Sequence, residues 1–271
     1  MRNITLGNQK KADDRPTACW PRYRVLIPAV VAIAMCSGVS LSLAGTTQPE
    51  ATKEQTMANE QLLSAKQQVI APIAAFAAIG DMAGLDTALN KGLDAGLSVS
   101  EAKEILVQLY AYAGFPRSLN ALGQLMKVVE ARRQHGIQDL PGREPSRAIP
   151  TGDDLLATGT ANQTQLAGAP VKGPLFDFAP AIDRFLKTHL FGDIFERDNL
   201  DWQSRELATV GALAALSGVE SQLQAHIRIS LNTGLSVAQL RQLATVLNEQ
   251  GNSEAGARVQ AALDKLPAKA N

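Results

Sequence analysis

Apolar residues recur at spacings of three and four from Leu62 to Ile79, and the segments that follow repeat this pattern. Such spacing places the apolar residues on one face of an α-helix. The pattern resumes near Ala179 and runs to about Phe195, and a strongly apolar segment follows from Arg205 to Leu216. Residues that commonly begin or end helices separate these segments. The sequence therefore predicts an all-α fold built from a series of helical hairpins.

A short segment occurs twice, 138 residues apart. Residues 93–99 read LDAGLSV, and residues 231–237 read LNTGLSV. In both copies the glycine suits the left-handed end of one helix, and the serine suits the N-cap of the next. Glu101 and Gln239 follow three residues after that serine, so each copy contains a capping box. Either helical proteins simply reuse this punctuation, or the chain holds two tandem helical repeats. We favour the second interpretation.

The local composition indicates further boundaries between segments of the chain. Residues 46–60 are polar and carry no helical stripe of apolar residues, as expected for a spacer. Residues 136–175 hold six glycines and five prolines with little periodicity, which is typical of a long connection. The predicted boundaries are a signal peptide or signal anchor over 1–45, the spacer over 46–60, a first repeat over 61–135, the connection over 136–178 and a second repeat over 179–267.

The N-terminal segment has the order of a secretory signal. Two arginines precede an apolar run over residues 25–35, and small residues continue to Ala44. We expect cleavage near Ala44 and export to the periplasm, whereas an uncleaved signal would anchor the protein to the inner membrane. Cys19 and Cys36 both precede this point, so the mature chain would contain no thiol.

Composition also narrows the classes of partner. Basic and acidic residues number 26 each in the 271-residue chain, so no net charge would attract nucleic acid, and we expect none to bind. Contact with a membrane is expected only through an uncleaved signal. His135, His189 and His226 are too dispersed for a recognisable metal-binding pattern, and no glycine-rich nucleotide loop is present. We therefore expect no metal and no other cofactor.

Several segments together resemble a known family. Residues 200–228 read LDWQSRELATVGALAALSGVESQLQAHIR, and NTGLS follows at 232–236. In the first repeat, YAGFP at 112–116 is followed by NAL at 120–122. This combination resembles the carboxymuconolactone decarboxylase family of the alkylhydroperoxidase D-like superfamily. The resemblance implies two compact all-helical repeats of that fold. It also implies self-association with threefold symmetry, so we expect a homotrimer.

The two copies differ from the family pattern in complementary ways. The second keeps the Arg-Glu-Leu helix and His226, but it reads QGNSE at 250–254 where the first copy has YAGFP. The first copy has Ala88 at the position that corresponds to His226. Either each repeat supplies half of one composite site, or a family-like site has decayed in each copy.

Peroxidase members of the superfamily use the pattern Cys-x-x-Cys-x-x-x-His, in which one thiolate attacks peroxide and the second thiol resolves the product. Counting back from His226 places Val219 and Gln222 at the two cysteine positions. A mature chain without thiols would lack the nucleophile. We therefore expect no thiol peroxidase activity.

The resemblance points to two candidate catalytic residues. His226 would be the proton donor and Glu206 would orient it, in a reaction that removes carbon dioxide from a small carboxylated lactone or a related organic acid. The plainer interpretation makes His226 a satisfied core histidine. It makes Glu206 a favourable charge at the beginning of a helix.

Four further residues are candidates for substrate binding. Arg228 or Arg205 would hold a carboxylate through paired donors, and Tyr112 with Phe115 would line the pocket. We expect an enzyme that resembles a carboxy-lyase and binds a small-molecule organic acid or lactone. The alternatives are a non-catalytic ligand-binding protein, a helical scaffold, or a divergent member of the peroxidase superfamily.

Overall fold

A computed structural model describes residues 62–267, and every regular element in this range is a helix. The first repeat contains α1 (Ala65–Gln68), α2 (Ile70–Ile79), α3 (Met82–Asp94), α4 (Val99–Gln108), α5 (Tyr110–Ala113) and α6 (Phe115–Gln134). The connection contains α7 (Gly152–Ala167) and α8 (Pro174–Phe178). The second repeat contains α9 (Pro180–Phe185), α10 (Leu186–Ile194), which is wound as a π-helix, α11 (Trp202–Ala215), α12 (Glu220–Asn232), α13 (Val237–Glu249) and α14 (Ser253–Asp264).

The predicted signal over 1–45 and the predicted spacer over 46–60 lie outside the described residues, and so do Cys19 and Cys36. None of the helices in residues 62–267 combines the length and the apolar character needed to cross a membrane.

The helices of the two repeats correspond at the offset of 138 residues. α3 and α12 match from the first residue to the last, and α4 and α13 begin at equivalent positions. Ser98 and Ser236 cap these last two helices, and both predicted capping boxes are formed. The all-α fold and its tandem repeat are therefore confirmed. α11 begins at Trp202, earlier than the predicted start at Arg205, because Asp201 accepts a hydrogen bond from the backbone N–H of Ser204.

The core lies where α2 of the first repeat packs against α11 of the second. Every residue of α2 from Ile70 to Ala78 is buried, and so is every residue of α11 from Ser204 to Ala214. The two helices touch backbone to backbone at Ala71 and Gly211, because a Cβ atom at Gly211 would lie only 2.7 Å from the Cα atom of Ala71. The apolar faces of both repeats thus form one continuous core.

Charged side chains are also buried between the repeats. Glu104 on α4 is 1% exposed and accepts hydrogen bonds from Nε of Arg197 at 2.8 and 2.9 Å. Arg205 on α11 is fully buried and donates to the side chain of Gln108 and to the backbone carbonyl of Arg197. Burial lowers the pKa of Arg205 to about 10, while the carboxylate of Glu104 at 3.8 Å favours its charged form.

The connection contains more regular structure than its composition indicates. α7 packs against α10, where Gly159 lacks the side chain that would overlap with the backbone carbonyl of Lys187. Asn162 donates to the carbonyl of Phe191 at 2.8 Å and to Glu196 at 2.7 Å. The buried face of α7 is built from small and polar residues, with one leucine. Helical periodicity of apolar residues is therefore weak in this segment, although the helix is packed.

We expect Gly211→Ala to destabilise the protein, although alanine favours helices by up to about 1 kcal/mol over glycine. The new methyl group would meet the backbone of Ala71, which cannot rotate away as a side chain can. Overpacking of this kind costs about 1–3 kcal/mol, and rigid backbone on the other side places the cost at the upper end. The free energy of unfolding in urea measures the effect.

Gly123→Ala is the matched control, because Gly123 lies inside α6 and a Cβ atom there would meet nothing within 4 Å. Its stability should equal that of the wild type or exceed it by up to about 1 kcal/mol. Equal stability of the two variants would contradict the backbone contact between α2 and α11.

Glu104→Ala should destabilise the protein by about 3 kcal/mol, because it leaves the buried guanidinium of Arg205 and the pairing atom of Arg197 without a carboxylate. Lys103→Ala is the control on the same helix, since the ion pair of Lys103 with Glu144 is exposed. That change should cost less than about 1 kcal/mol. Chemical denaturation of both variants compares the two costs, and similar small losses would show that the buried charges do not join the repeats.

Candidate functional site

A cavity of about 640 Å³ opens beside α12. The second repeat supplies one side of the cavity from α9 to α12, the connection supplies another from α7 and α8, and the first repeat supplies α5. Most of the lining side chains are apolar. The polar and charged ones are Tyr112, Gln163, Gln222, His226 and Arg228.

A buried histidine–carboxylate pair lies at this cavity. His226 on α12 is 8% exposed and lines the cavity, while Glu206 on α11 is fully buried. Nδ1 of His226 lies 2.8 Å from Oε2 of Glu206. An ionised carboxylate can only accept, so this bond assigns a hydrogen to Nδ1. No hydrogen bond from a described residue reaches Nε2.

Tyr112 joins the pair from the first repeat. Its ring meets the ring of His226 edge to face, with centroids 5.6 Å apart and planes at 83°. Burial, assisted by the negative charge of Glu206, raises the pKa of the Tyr112 hydroxyl well above its usual value. Tyr112 is therefore a neutral phenol at physiological pH. The buried hydroxyl of Tyr112 lies beside Thr209, which offsets part of the rise in its pKa, without the geometry of a full hydrogen bond. Within residues 62–267, the buried Oε1 of Glu206 makes no hydrogen bond.

The structure brings together four of the six predicted site residues. Tyr112, His226 and Arg228 line the cavity, and Glu206 lies behind His226. The exposed side chain of Arg228 makes no ion pair with a described carboxylate. Tyr112 belongs to the first repeat and the other three residues to the second, so both repeats contribute to this group of side chains.

The other two predicted residues lie elsewhere. Arg205 precedes Glu206 on α11, and successive residues of a helix project about 100° apart, so its side chain turns into the contact between the repeats. Phe115 is 61% exposed and stacks on Tyr110 with a centroid distance of 4.5 Å. Neither residue lines the cavity, so the structure does not bring either of them to the other four.

The connection supplies cavity walls that the sequence did not predict. Val171, Leu175 and Phe176 all line the cavity. The available signal was the apolar cluster PLFDF at 174–178 inside an otherwise proline-rich and glycine-rich segment. Val219 and Gln222, at the cysteine positions of the peroxidase pattern, also lie in the wall of the cavity.

Across residues 62–267, no three or more histidine, cysteine, aspartate or glutamate side chains group closely enough to hold a metal ion. The side chains that line the cavity offer a positioned imidazole, two amides and one guanidinium, and the ring of Tyr112 lies beside the imidazole.

The raised pKa of Tyr112 gives a prediction for an alkaline titration. The chain has three tyrosines, and a free tyrosine loses its proton between about pH 9 and pH 11. Folded wild type and folded Tyr112→Phe should show the same increase in tyrosinate absorbance over this range, because Tyr112 stays protonated. In denaturant the wild type should exceed the variant by one tyrosine. A difference between the folded proteins would show that Tyr112 titrates normally.

The profile of the carboxymuconolactone decarboxylase family matches residues 46–126 and 180–264. The first match begins in the segment predicted as a spacer. The 4-carboxymuconolactone decarboxylase of Acinetobacter baylyi is 32% identical over 69 residues, which are 26% of this chain and 51% of that protein. The chain thus spans about half the length of this curated relative. Because the two profile matches include both repeats and cover more than half of the chain, the protein belongs to the carboxymuconolactone decarboxylase family.

Proposed function

We propose that the protein is an enzyme that removes carbon dioxide from a carboxylated lactone or a related organic acid, by acid/base chemistry at His226. The observation that carries the proposal is the buried bond of 2.8 Å between Nδ1 of His226 and Oε2 of Glu206, on a ring that lines a cavity. The name of the relative from Acinetobacter baylyi supplies the class of reaction.

The proposed step moves one proton and one electron pair. The bond between the substrate carbon and its carboxylate breaks, and carbon dioxide leaves without the bonding electrons. These electrons remain on the carbon and spread into an adjacent carbonyl group of the substrate. Nε2 of His226, which has taken up a proton from solvent before this step, gives that proton to the carbon, and the ring returns to its neutral form with its hydrogen on Nδ1. The net change is the uptake of one proton and the release of one carbon dioxide.

The surrounding side chains have distinct parts in this step. Glu206 accepts the hydrogen of Nδ1 and so keeps Nε2 as the nitrogen that transfers the proton. Arg228 holds a carboxyl group that the substrate retains. The ring of Tyr112 packs edge to face against the imidazole and helps to fix its orientation. The apolar walls remove water from the departing carboxylate, which favours neutral carbon dioxide.

We do not propose thiol peroxidase chemistry, because Val219 and Gln222 occupy the two cysteine positions of the peroxidase pattern in the cavity wall and neither has a thiol. A ligand-binding protein without catalysis is the second candidate, and the volume of about 640 Å³ favours it, because a small lactone needs less space.

The test uses purified protein, a panel of lactones and keto acids, and the release of carbon dioxide as the readout. His226→Gln should lower kcat by about 100-fold or more, the usual contribution of one positioned acid. His135→Gln is the matched control, because His135 is exposed at the end of α6 and lies outside the cavity lining. It should retain full activity, and equal activity of the two variants would contradict the role of His226.

Glu206→Gln tests whether the carboxylate acts with the histidine. The single change should lower kcat, and the double variant should be little slower than His226→Gln alone, because both residues serve one step. Circular dichroism checks that each variant is folded. Full activity of Glu206→Gln, or losses that add in the logarithm of the rate, would separate the two residues.

A further inference from the structure

The cavity walls differ in chemistry from one side to the other. Toward the connection and α10 the lining is apolar except for Gln163 on α7. It includes Val171, Phe176, Leu186 and Phe191. Toward α12 lie His226 and Arg228. The cavity therefore has one polar side and one extended apolar side.

Charge limits what can bind. Among residues 62–267, Arg228 is the one lining side chain with a permanent charge, and no aspartate or glutamate of this range lines the cavity. Arg228 is exposed, so an anionic group at the cavity rim can reach it. A second carboxylate on the same ligand would find no second lysine or arginine in the lining, and burial of an unpaired charge is costly. One anionic group is therefore what the cavity can neutralise.

The size of the cavity and the polarity of its walls also limit which ligands can bind. A cavity of about 640 Å³ lies within the range that holds drug-sized ligands, and burial of apolar surface contributes about 25 cal/mol per Å². A compact, highly polar lactone would leave the apolar side of the cavity in contact with water. An amphipathic acid would bury its apolar body there.

From the single guanidinium at the rim and the long apolar wall, we propose that the ligand is an amphipathic acid with one carboxylate, bound at Arg228, and a long aliphatic or fused-ring body that packs against the connection. As a substrate class this rests on the proposed function, and a substrate then carries one further carboxylate, which the lining leaves unpaired and which departs as carbon dioxide. As a ligand class it does not rest on that function. Residues of the connection thereby select the ligand, and the pair of His226 and Glu206 acts on it.

Dansyl-labelled undecanoic acid is the probe for the test. Wild-type protein should bind it with a blue shift and an increase in fluorescence, as expected when the dansyl group leaves water. An unlabelled long-chain fatty acid should displace the probe. Adipate, which has two carboxylates and a short chain, should not displace it. Displacement by adipate at lower concentration than the fatty acid would overturn the proposal.

Arg228→Gln tests the position of the carboxylate. It should weaken binding of the acid probe by about tenfold, the usual scale of a lost hydrogen bond to a charged group. It should leave binding of the corresponding dansyl-labelled primary amide unchanged, because the amide carries no charge. Equal effects on acid and amide, or no effect on either, would place the carboxylate elsewhere and overturn the proposal.

Phe176→Ser tests the apolar wall, and Phe178→Ser is its control on the same short helix. Phe176 lines the cavity, whereas Phe178 is 88% exposed and does not. We expect Phe176→Ser to weaken both probes by about tenfold, from the apolar area it removes, and Phe178→Ser to leave both unchanged. Urea unfolding midpoints check that both variants are folded. Equal affinities in the two variants would rule out the connection as the wall that holds the ligand.

Different results would refute the proposed reaction and the proposed ligand class. Probe binding together with no release of carbon dioxide from any acid would retain the ligand class and remove the proposed reaction. Release of carbon dioxide from compact dicarboxylated lactones, with no binding of the probe, would retain the reaction and remove the ligand class.

Discussion

The contact between α2 and α11 at Ala71 and Gly211 is the constraint on which the remaining structure depends. The described part of each repeat is too short to bury a large core, and small domains gain little stability from burial alone. A glycine opposite an alanine lets the two helix backbones touch, so the apolar faces of both repeats close over one another. The two copies consequently form one core rather than two.

The same helix also positions the candidate site. α11 carries Arg205 and Glu206 at successive positions, and these side chains leave the helix in different directions. Arg205 reaches Gln108 of the first repeat, whereas Glu206 holds His226 of the second. Packing of the repeats and orientation of the imidazole are therefore coupled through one rigid element. A change that loosens the contact between the repeats would also disturb the histidine, although it touches no side chain of the cavity.

Chemistry and ligand selection come from different parts of the chain. The residues that match the family pattern supply the bonded pair of His226 and Glu206 and the neighbouring ring of Tyr112, and the proposed reaction uses them. The connection, which contains residues between the two family matches, supplies much of the apolar wall. We propose that this division lets the site accept a ligand unlike that of the relative, because the wall can change without any change at His226. For the same reason, the name of the relative indicates a class of reaction for the proposal, and it indicates much less about the size of the ligand.

The sequence by itself determined the helices, their caps and the tandem repeat. Periodicity of apolar residues and the Ser-x-x-Glu and Ser-x-x-Gln boxes are local signals, and local hydrogen bonds satisfy them in the same way in both copies. His226 and Glu206 were identified as candidates from the family pattern, and no local rule shows that two residues on different helices form one bond.

Only the tertiary packing decided three features of the structure. These are the inward direction of Arg205, the outward position of Phe115 and the cavity walls that the connection supplies. Arginine is usually exposed, so the sequence alone indicates a surface position for Arg205. Its burial depends on partners such as Glu104, which the sequence does not identify. The sequence does not indicate that α7 is packed, because its buried face contains glycine, asparagine and glutamine in place of a stripe of apolar residues. Burial of such residues depends on the carbonyls and carboxylates that other segments bring to them, as Phe191 and Glu196 do for Asn162, and these partners are distant in sequence.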